Sequence, residues 1–203
     1  MAKKSKRYLE SRKVVDVAKK YELKEAVKLL KSFKRTKFDE SVEVAIKLGI
    51  DPKQSDQLIR GSVSLPKGIG KSLKVIVFAG GEKAEIAKKA GADEVGAEEL
   101  VKKVEGGWAD FDVAIATSDM MKLVGKLGRV LGPQGKMPSP KSGTVTDDIE
   151  KAVKEFKAGK IEYRTDAGGN VHALVGKISF SDSDLEDNIN TFVKLIINSR
   201  PAS

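Results

Sequence analysis

Apolar positions change period several times along this chain, and each change predicts an element. In 23–33 (LKEAVKLLKSF) they recur at helical spacing, with Ala26, Leu29, Leu30 and Phe33 on one face. In 38–48 (FDESVEVAIKL) the period drops to two. Val42, Val44, Ile46 and Leu48 alternate with Glu43, Ala45 and Lys47, which is the pattern of a half-buried strand. Residues 59–65 alternate again, with Ile59, Val63 and Leu65 on one side and Arg60, Ser62 and Ser64 on the other. A loop built on Asp51-Pro52 joins these two strands.

The middle of the chain reads differently. Residues 74–79 (KVIVFA) form a short continuous apolar run, as in a parallel strand covered on both faces. A helix follows over 82–90, then a short strand near Glu94-Val95, a helix over 97–104, a buried strand over 111–117 and a helical stretch over 119–127. Residues 128–143, rich in Gly and Pro, read as a long loop, and 147–158 as a helix that stops at Gly159. Strand and helix in alternation imply an α/β unit with a parallel sheet. The end of the chain reverts to alternation. Residues 160–165 and 171–180 predict a hairpin turned by Asp166 to Asn170. Ser183, with Glu186 three residues on, predicts a capped helix whose apolar face is Leu185, Ile189, Phe192 and Ile196.

Antiparallel pieces thus flank a parallel block. The simplest architecture is α/β plus α+β in two domains. Residues 1–66 and 159–203 form a discontinuous α+β domain, and 67–158 form an inserted α/β domain. The crossings at Pro66–Gly70 and near Gly159 would make a hinge.

Composition narrows the chemistry. With 40% hydrophobic and 33% charged residues the chain is soluble and globular. It has no cysteine, so no disulfide framework or thiolate metal site can form, and with His172 as the only histidine no metal site is expected. No apolar run spans a membrane, and the start, MAKKSKRYLESRK, lacks a signal-peptide core, so a cytoplasmic location is expected.

The net charge of +9 is unevenly placed. Residues 1–66 carry 17 Lys/Arg against 9 Asp/Glu, residues 67–158 carry 16 against 14, and residues 159–203 carry 5 against 6. A basic excess confined to one end is the footprint of a polyanion, most often nucleic acid, although a basic tail can also be merely solvated. Part of the first 20 residues is expected to lack structure when free.

The most unusual stretch runs from Lys126 to Lys141, with three Gly, three Pro and four cations in sixteen residues. Gly allows close backbone approach, Pro stiffens the loop, and Lys or Arg meets phosphate. The plainer alternative is a rigid crossover packed on the sheet. An enzyme is the rival reading. The apolar strand before Gly80-Gly81 suggests a phosphate-binding turn of a nucleotide-binding α/β enzyme, but neither GxGxxG nor GxxxxGK[ST] is present there. Asp110, Asp112 and Asp119 flank a strand but fit no ligand spacing, and no catalytic residue or cofactor is expected.

The segment GRVLGPQGKMPSPKSGTV (128–145) resembles the signature loop of the bacterial-type ribosomal protein L-one family. SKRY near the start, KFDESVEV (37–44), LGIDPKQSDQLIRGSVSLPKGIGK (48–71), GADEVGAEEL (91–100) and AGKIEYRTDAGGNVHALVGKISF (158–180) resemble it too, in order along nearly the whole chain. The resemblance implies the same inserted-domain architecture, with a Rossmann-like parallel α/β insert. It implies a cytoplasmic protein, monomeric within the large ribosomal subunit. The implied partners are the lateral stalk of large-subunit ribosomal RNA, the departing exit-site tRNA and the protein's own operon mRNA, which it would repress.

Carried over by matching position, the RNA surface lies on the two-ended domain. It comprises Lys6 and Arg7 of SKRY, the Lys37–Phe38 pair, Ser41 and Glu43 on the following strand, and Arg60, Arg164 and His172 on later strands. A cation beside an aromatic suits RNA, the ring stacking and the ammonium meeting phosphate. Taken alone, Phe38 also fits a core aromatic, Arg164 a partner for Glu162 or Asp166, and His172 a packed histidine beside Leu174 and Ile178. The resemblance marks a second cluster in the signature loop: Lys126, Arg129, Gly132, Pro133, Gly135, Lys136, Met137, Pro138 and Lys141. It also implies a final strand and a Thr-Met-Gly-Pro loop beyond a position like Arg200-Pro201. The sequence ends at Ser203, either through truncation or because this member lacks that clamp.

Overall fold

The structure, a computed structural model, describes residues 4–201. In chain order the elements are α1 (Lys6–Val14), α2 (Leu23–Lys31), β1 (Ser41–Lys47), β2 (Arg60–Ser64), β3 (Val75–Phe78), α3 (Glu82–Lys89), β4 (Glu94–Gly96), α4 (Glu98–Glu105), β5 (Val113–Ala116), α5 (Met121–Val124), α6 (Gly128–Gln134), α7 (Ile149–Lys157), β6 (Lys160–Arg164), β7 (Asn170–Lys177) and α8 (Asp182–Ser199).

The two ends of the chain build sheet together. β1 pairs antiparallel with β7, Ser41 opposite Lys177 and Lys47 opposite Asn170, and β2 pairs antiparallel with β6, Arg60 opposite Arg164. β1 buries Val42 and turns Ser41, Glu43, Ala45 and Lys47 outward, as its alternation predicts. The middle of the chain forms a parallel sheet in the order β4-β3-β5. All four residues of β3 are buried, because helices cover both of its faces. Val75 and Val77 join one buried cluster with Ile149, Val153 and Phe156 of α7, while Ile76 and Phe78 join another with Leu100, Val104 and Leu131. The first cluster continues through Ile69 and Leu73 to Val63, Val175 and Phe192 at the chain ends.

Four details depart from the sequence reading, and a fifth adds to it. β6 and β7 do not pair along their length. The turn forms, with the Asp166 carboxylate accepting from the backbone N–H of Gly168 and of Asn170, each at 2.8 Å. Beyond a single bridge between Thr165 and Val171 the strands part, each taking an N-terminal partner instead. Residues 128–134 are helical rather than loop. Leu127 and Leu131 lie four apart and are both fully buried, Pro133 lies inside the helix and forfeits one backbone hydrogen bond there, and Gly135 closes α6 at φ +71. In α2 the buried centre is Val27, with Leu23 and Leu30 packed beside it, so the apolar stripe is rotated from the predicted face. The cap of α8 is Ser181, whose hydroxyl accepts from the Asp184 N–H at 3.1 Å; Ser183 and Glu186 are already helical. Residues 6–14 are helical too, capped by Ser5, although α1 buries none of its side chains.

The two crossings between end and middle segments touch. Gly159 has φ +107, and a Cβ there would lie 2.5 Å from the Gly68 Cα, so no side chain fits. Asn188, buried on α8, fastens the first crossing. Its amide donates to the carbonyls of Gly68 (2.9 Å) and Val175 (2.8 Å), and its oxygen accepts from the Lys67 N–H (3.1 Å).

Candidate nucleic-acid interface

Phe38 precedes β1 on a backbone held from both sides. The Thr36 hydroxyl donates to the Phe38 carbonyl at 3.0 Å. The next residue, Asp39, accepts from the Ser179 hydroxyl at 2.7 Å and its N–H at 3.2 Å. Fixed in this way, the ring stands 70% exposed, and Lys37 beside it is exposed as well. Hydrophobic burial would have drawn a free phenylalanine inward, so the anchored backbone is what presents it.

On β1, Ser41 accepts from the Lys177 amine at 2.8 Å. Glu43 lies 3.3 Å from Nδ1 of His172, whose Nε2 is 3.6 Å from Asp166. His172 is therefore an exposed group between two carboxylates, not a packed core histidine. The hydrogen bonds that Asp166 accepts from Asn170, backbone and side chain, hold its carboxyl below the usual range.

Arg60 and Arg164 face each other directly across the β2–β6 pair. Like charges so placed repel, which leaves the strand pair attractive to an anion. Glu162 offsets this only weakly, 3.9 Å from Arg60, and burial pushes its carboxyl up despite that neighbour. Arg164 makes no ion pair among the described residues, with Glu162, Asp166 or any other carboxylate. Lys6 is exposed on α1. Arg7 is tied to Glu40 at 2.7 Å, and that hydrogen bond keeps the Glu40 carboxyl low.

The signature-loop residues divide. Lys126, Arg129, Gly132, Pro133, Gly135 and Lys141 are exposed. Lys136 turns inward instead, donating to the Ala109 carbonyl at 2.9 Å and lying 5.0 Å from the centre of the Phe111 ring. Pro138 is buried, and Met137 packs partly buried beside Leu131. Gly132, Gly135 and Met137 face Arg60, Arg164 and His172 across one cleft of about 660 Å³.

A second groove of about 740 Å³ separates α1 from β1 and the end of α2, and the sequence reading missed it. Tyr8 and Arg12 line one side and Phe33 and Arg35 the other. The available signal was aromatics interleaved with cations in a segment too polar to bury.

The three carboxylates considered for catalysis each meet a lysine. Asp110 pairs with Lys74 at 2.7 Å, Asp112 with Lys71 at 2.7 Å, and Asp119 with Lys83 at 3.8 Å. Burial opposes the charge on Asp112, but Lys71 and the Lys74 N–H outweigh it and hold its carboxyl low. Among the described residues no helix is long and apolar enough to cross a membrane.

A three-stranded parallel sheet thus lies between two antiparallel strand pairs made from both chain ends, with exposed Lys37 and Phe38 at the start of one of them. Residues 30–203 match the ribosomal protein L1p/L10e family, and the chain belongs to it. The large ribosomal subunit protein uL1 of Kosmotoga olearia is 55% identical over 203 residues, which cover 100% of this chain and 88% of that protein.

Proposed function

We propose that this chain is a non-catalytic, cytoplasmic protein of the large ribosomal subunit, present as a monomer. It binds the lateral-stalk segment of the large-subunit RNA, assists movement and release of deacylated exit-site tRNA, and represses its own operon mRNA through a similar RNA structure. Membership of a ribosomal protein family supports this reading. The observation that carries it is Phe38, exposed beside Lys37 on an anchored backbone, where a base can stack and a phosphate can pair.

In this reading 1–66 with 159–203 is the RNA-binding domain and 67–158 is an inserted domain. The touching crossings at Gly68 and Gly159 are the hinge between them. The loop across the cleft from Arg60 and Arg164 must swing away for RNA to reach those guanidiniums. The exposed loop cations Lys126, Arg129 and Lys141 then belong to a second surface, the one that meets tRNA. The rival, a nucleotide-binding enzyme, loses ground because Asp110, Asp112 and Asp119 are each answered by a lysine.

Footprinting the protein on its own large-subunit RNA tests the reading. Salt-sensitive protection of the stalk is the expected result. Protection elsewhere, or none, would overturn it.

A further inference from the structure

The outward row of β6 forms one wall of the cleft. Lys160, Glu162 and Arg164 alternate with the buried Ile161 and Tyr163, and each meets the segment from Gly135 to Thr144. A Cβ on Gly135 would lie 3.7 Å from the Arg164 guanidinium, and one on Gly143 would lie 3.4 Å from the Lys160 amine. Between these contacts the Glu162 carboxylate meets the hydroxyls of Ser142 and Thr144, two residues that are themselves buried. Two glycines thus let the segment rest on the two cations of the strand, and the carboxylate is caught beneath it.

Glu162 is poorly compensated there. A hydroxyl has one proton to give, and Ser142 and Thr144 both direct theirs at the Ser139 carbonyl, each at 3.2 Å, so little is left for the carboxylate. Arg60 on β2 stands 3.9 Å away. On β6 itself the Lys160 amine is committed to Glu155 at 2.7 Å, and Arg164 makes no ion pair with Glu162. From β7, His172 faces the same cleft but lies between Glu43 and Asp166. From the inserted segment, Lys136 is turned to the Ala109 carbonyl and Asp112 is tied to Lys71. Desolvation outweighs all these neighbours and pushes the carboxyl above its usual range.

We infer that Glu162 is an opening spring: its buried negative charge works against the closed cleft at neutral pH and is relieved when the segment 135–144 lifts off β6 and water returns. The inference rests on the hinge reading above and assigns the residue that biases the hinge. With the cleft kept marginal in this way, Arg60 and Arg164 are uncovered without any ligand having to pull the segment away. Protonation removes the penalty. The carboxyl titrates higher in the closed state than in the open one, so the closed population rises as pH falls through the closed-state value and levels off below the ordinary 4.5.

The test follows the hinge directly, without RNA. The chain has no cysteine, so Lys53→Cys and Lys122→Cys, both at exposed positions, place one dye on each side of the hinge for single-molecule energy transfer. At pH 7 Glu162→Gln should shift the closed-to-open ratio toward closed by roughly two- to tenfold, the range open to a partly desolvated carboxylate. Glu162→Ala, which carries neither charge nor amide, should shift it in the same direction. Lowering the pH from 7 to about 5 should close the wild type and leave both variants where they are. If the variants open the cleft or leave the ratio unchanged, the ionised carboxylate is not a spring. If their pH response matches that of the wild type, His172 or another group carries the titration and the inference is equally wrong. A single transfer efficiency in every sample would mean that the hinge does not move, and the hinge reading would fail together with the spring.

Discussion

The first 66 residues and the 92 that follow hold nearly the same number of cations, 17 and 16, but the first set them against 9 carboxylates and the second against 14. In the middle segment lysines meet carboxylates at short range: Lys71 with Asp112, Lys74 with Asp110, Lys103 with Glu94, and Lys157 with Asp93, all at 2.6–2.7 Å. At the N-terminal end Arg12, Arg35 and Lys37 have no such partner among the described residues. A charge already paired within the protein gains little from a phosphate, because the new interaction replaces an old one. An unpaired charge gains the whole interaction and releases counterions as well. Where charge is left unpaired is therefore a better guide to a polyanion's seat than where cations are numerous.

The largest effect should come from removing residues 1–13, which carry Lys3, Lys4, Lys6, Arg7, Arg12 and Lys13. Affinity for stalk RNA should fall at least tenfold at moderate salt, and the log–log salt slope should shrink by about 0.7–0.9 for each phosphate that is no longer neutralised. An unchanged slope in filter-binding titrations would mean these cations are only solvated. Next in size, Phe38→Ala should cost about 1–3 kcal/mol of RNA binding while the melting temperature holds. A buried phenylalanine would instead cost about 3–5 kcal/mol of stability, so measuring both quantities separates stacking from packing.

Acid titration sharpens the contrast from the protein side. Asp93 is opposed by burial but held low by Lys157 and the Val75 N–H, and Asp112 is held low likewise. Their folded-state values lie below the ordinary 3.8, so they stabilise the fold above that pH and lose the contribution as pH falls through the folded values. Glu162 runs the other way. Burial raises it above 4.5, so its ionisation costs stability at neutral pH and costs nothing once both states are protonated. Thermal melts should show Glu162→Gln more stable than wild type at pH 7, with the gap closing below about pH 4.5, and Asp93→Asn less stable at pH 7, with its deficit shrinking toward pH 3. The smallest effect belongs to Lys74→Gln. Its pair with Asp110 is exposed, so the melting temperature should hold and RNA affinity should change by less than twofold. A tenfold loss of affinity there would break the comparison.

Much of this arrangement was legible in residue pattern alone. Period-two alternation placed the outward residues of β1 and β2, the unbroken run at 74–79 identified a strand buried on both faces, and Leu185, Ile189, Phe192 and Ile196 do line the buried side of α8. What pattern could not supply depends on distant partners. β6 and β7 read as a hairpin because they are close in sequence, but β2 and β1 offer each a longer match. α6 was hidden by its Gly and Pro, since propensity says nothing of the cluster that Leu127 and Leu131 enter. The exposure of Phe38 turns on Ser179, some 140 positions away, which holds Asp39. The aromatics and cations around the groove under α1 were visible in the sequence, but its walls come from helix and strand segments that only the fold brings together.

The contact between Gly68 and Gly159 bears on how the chain reaches this state. Pairing Ser41–Lys47 with Asn170–Lys177 joins segments more than a hundred residues apart, a costly closure for a flexible chain. Once the parallel block has folded, its two ends meet at Gly68 and Gly159, and the intervening length no longer counts as flexible loop. The effective separation between β2 and β6 falls to a few residues. A middle segment that folds first would thereby act as a staple for the strand pairs made by the two chain ends.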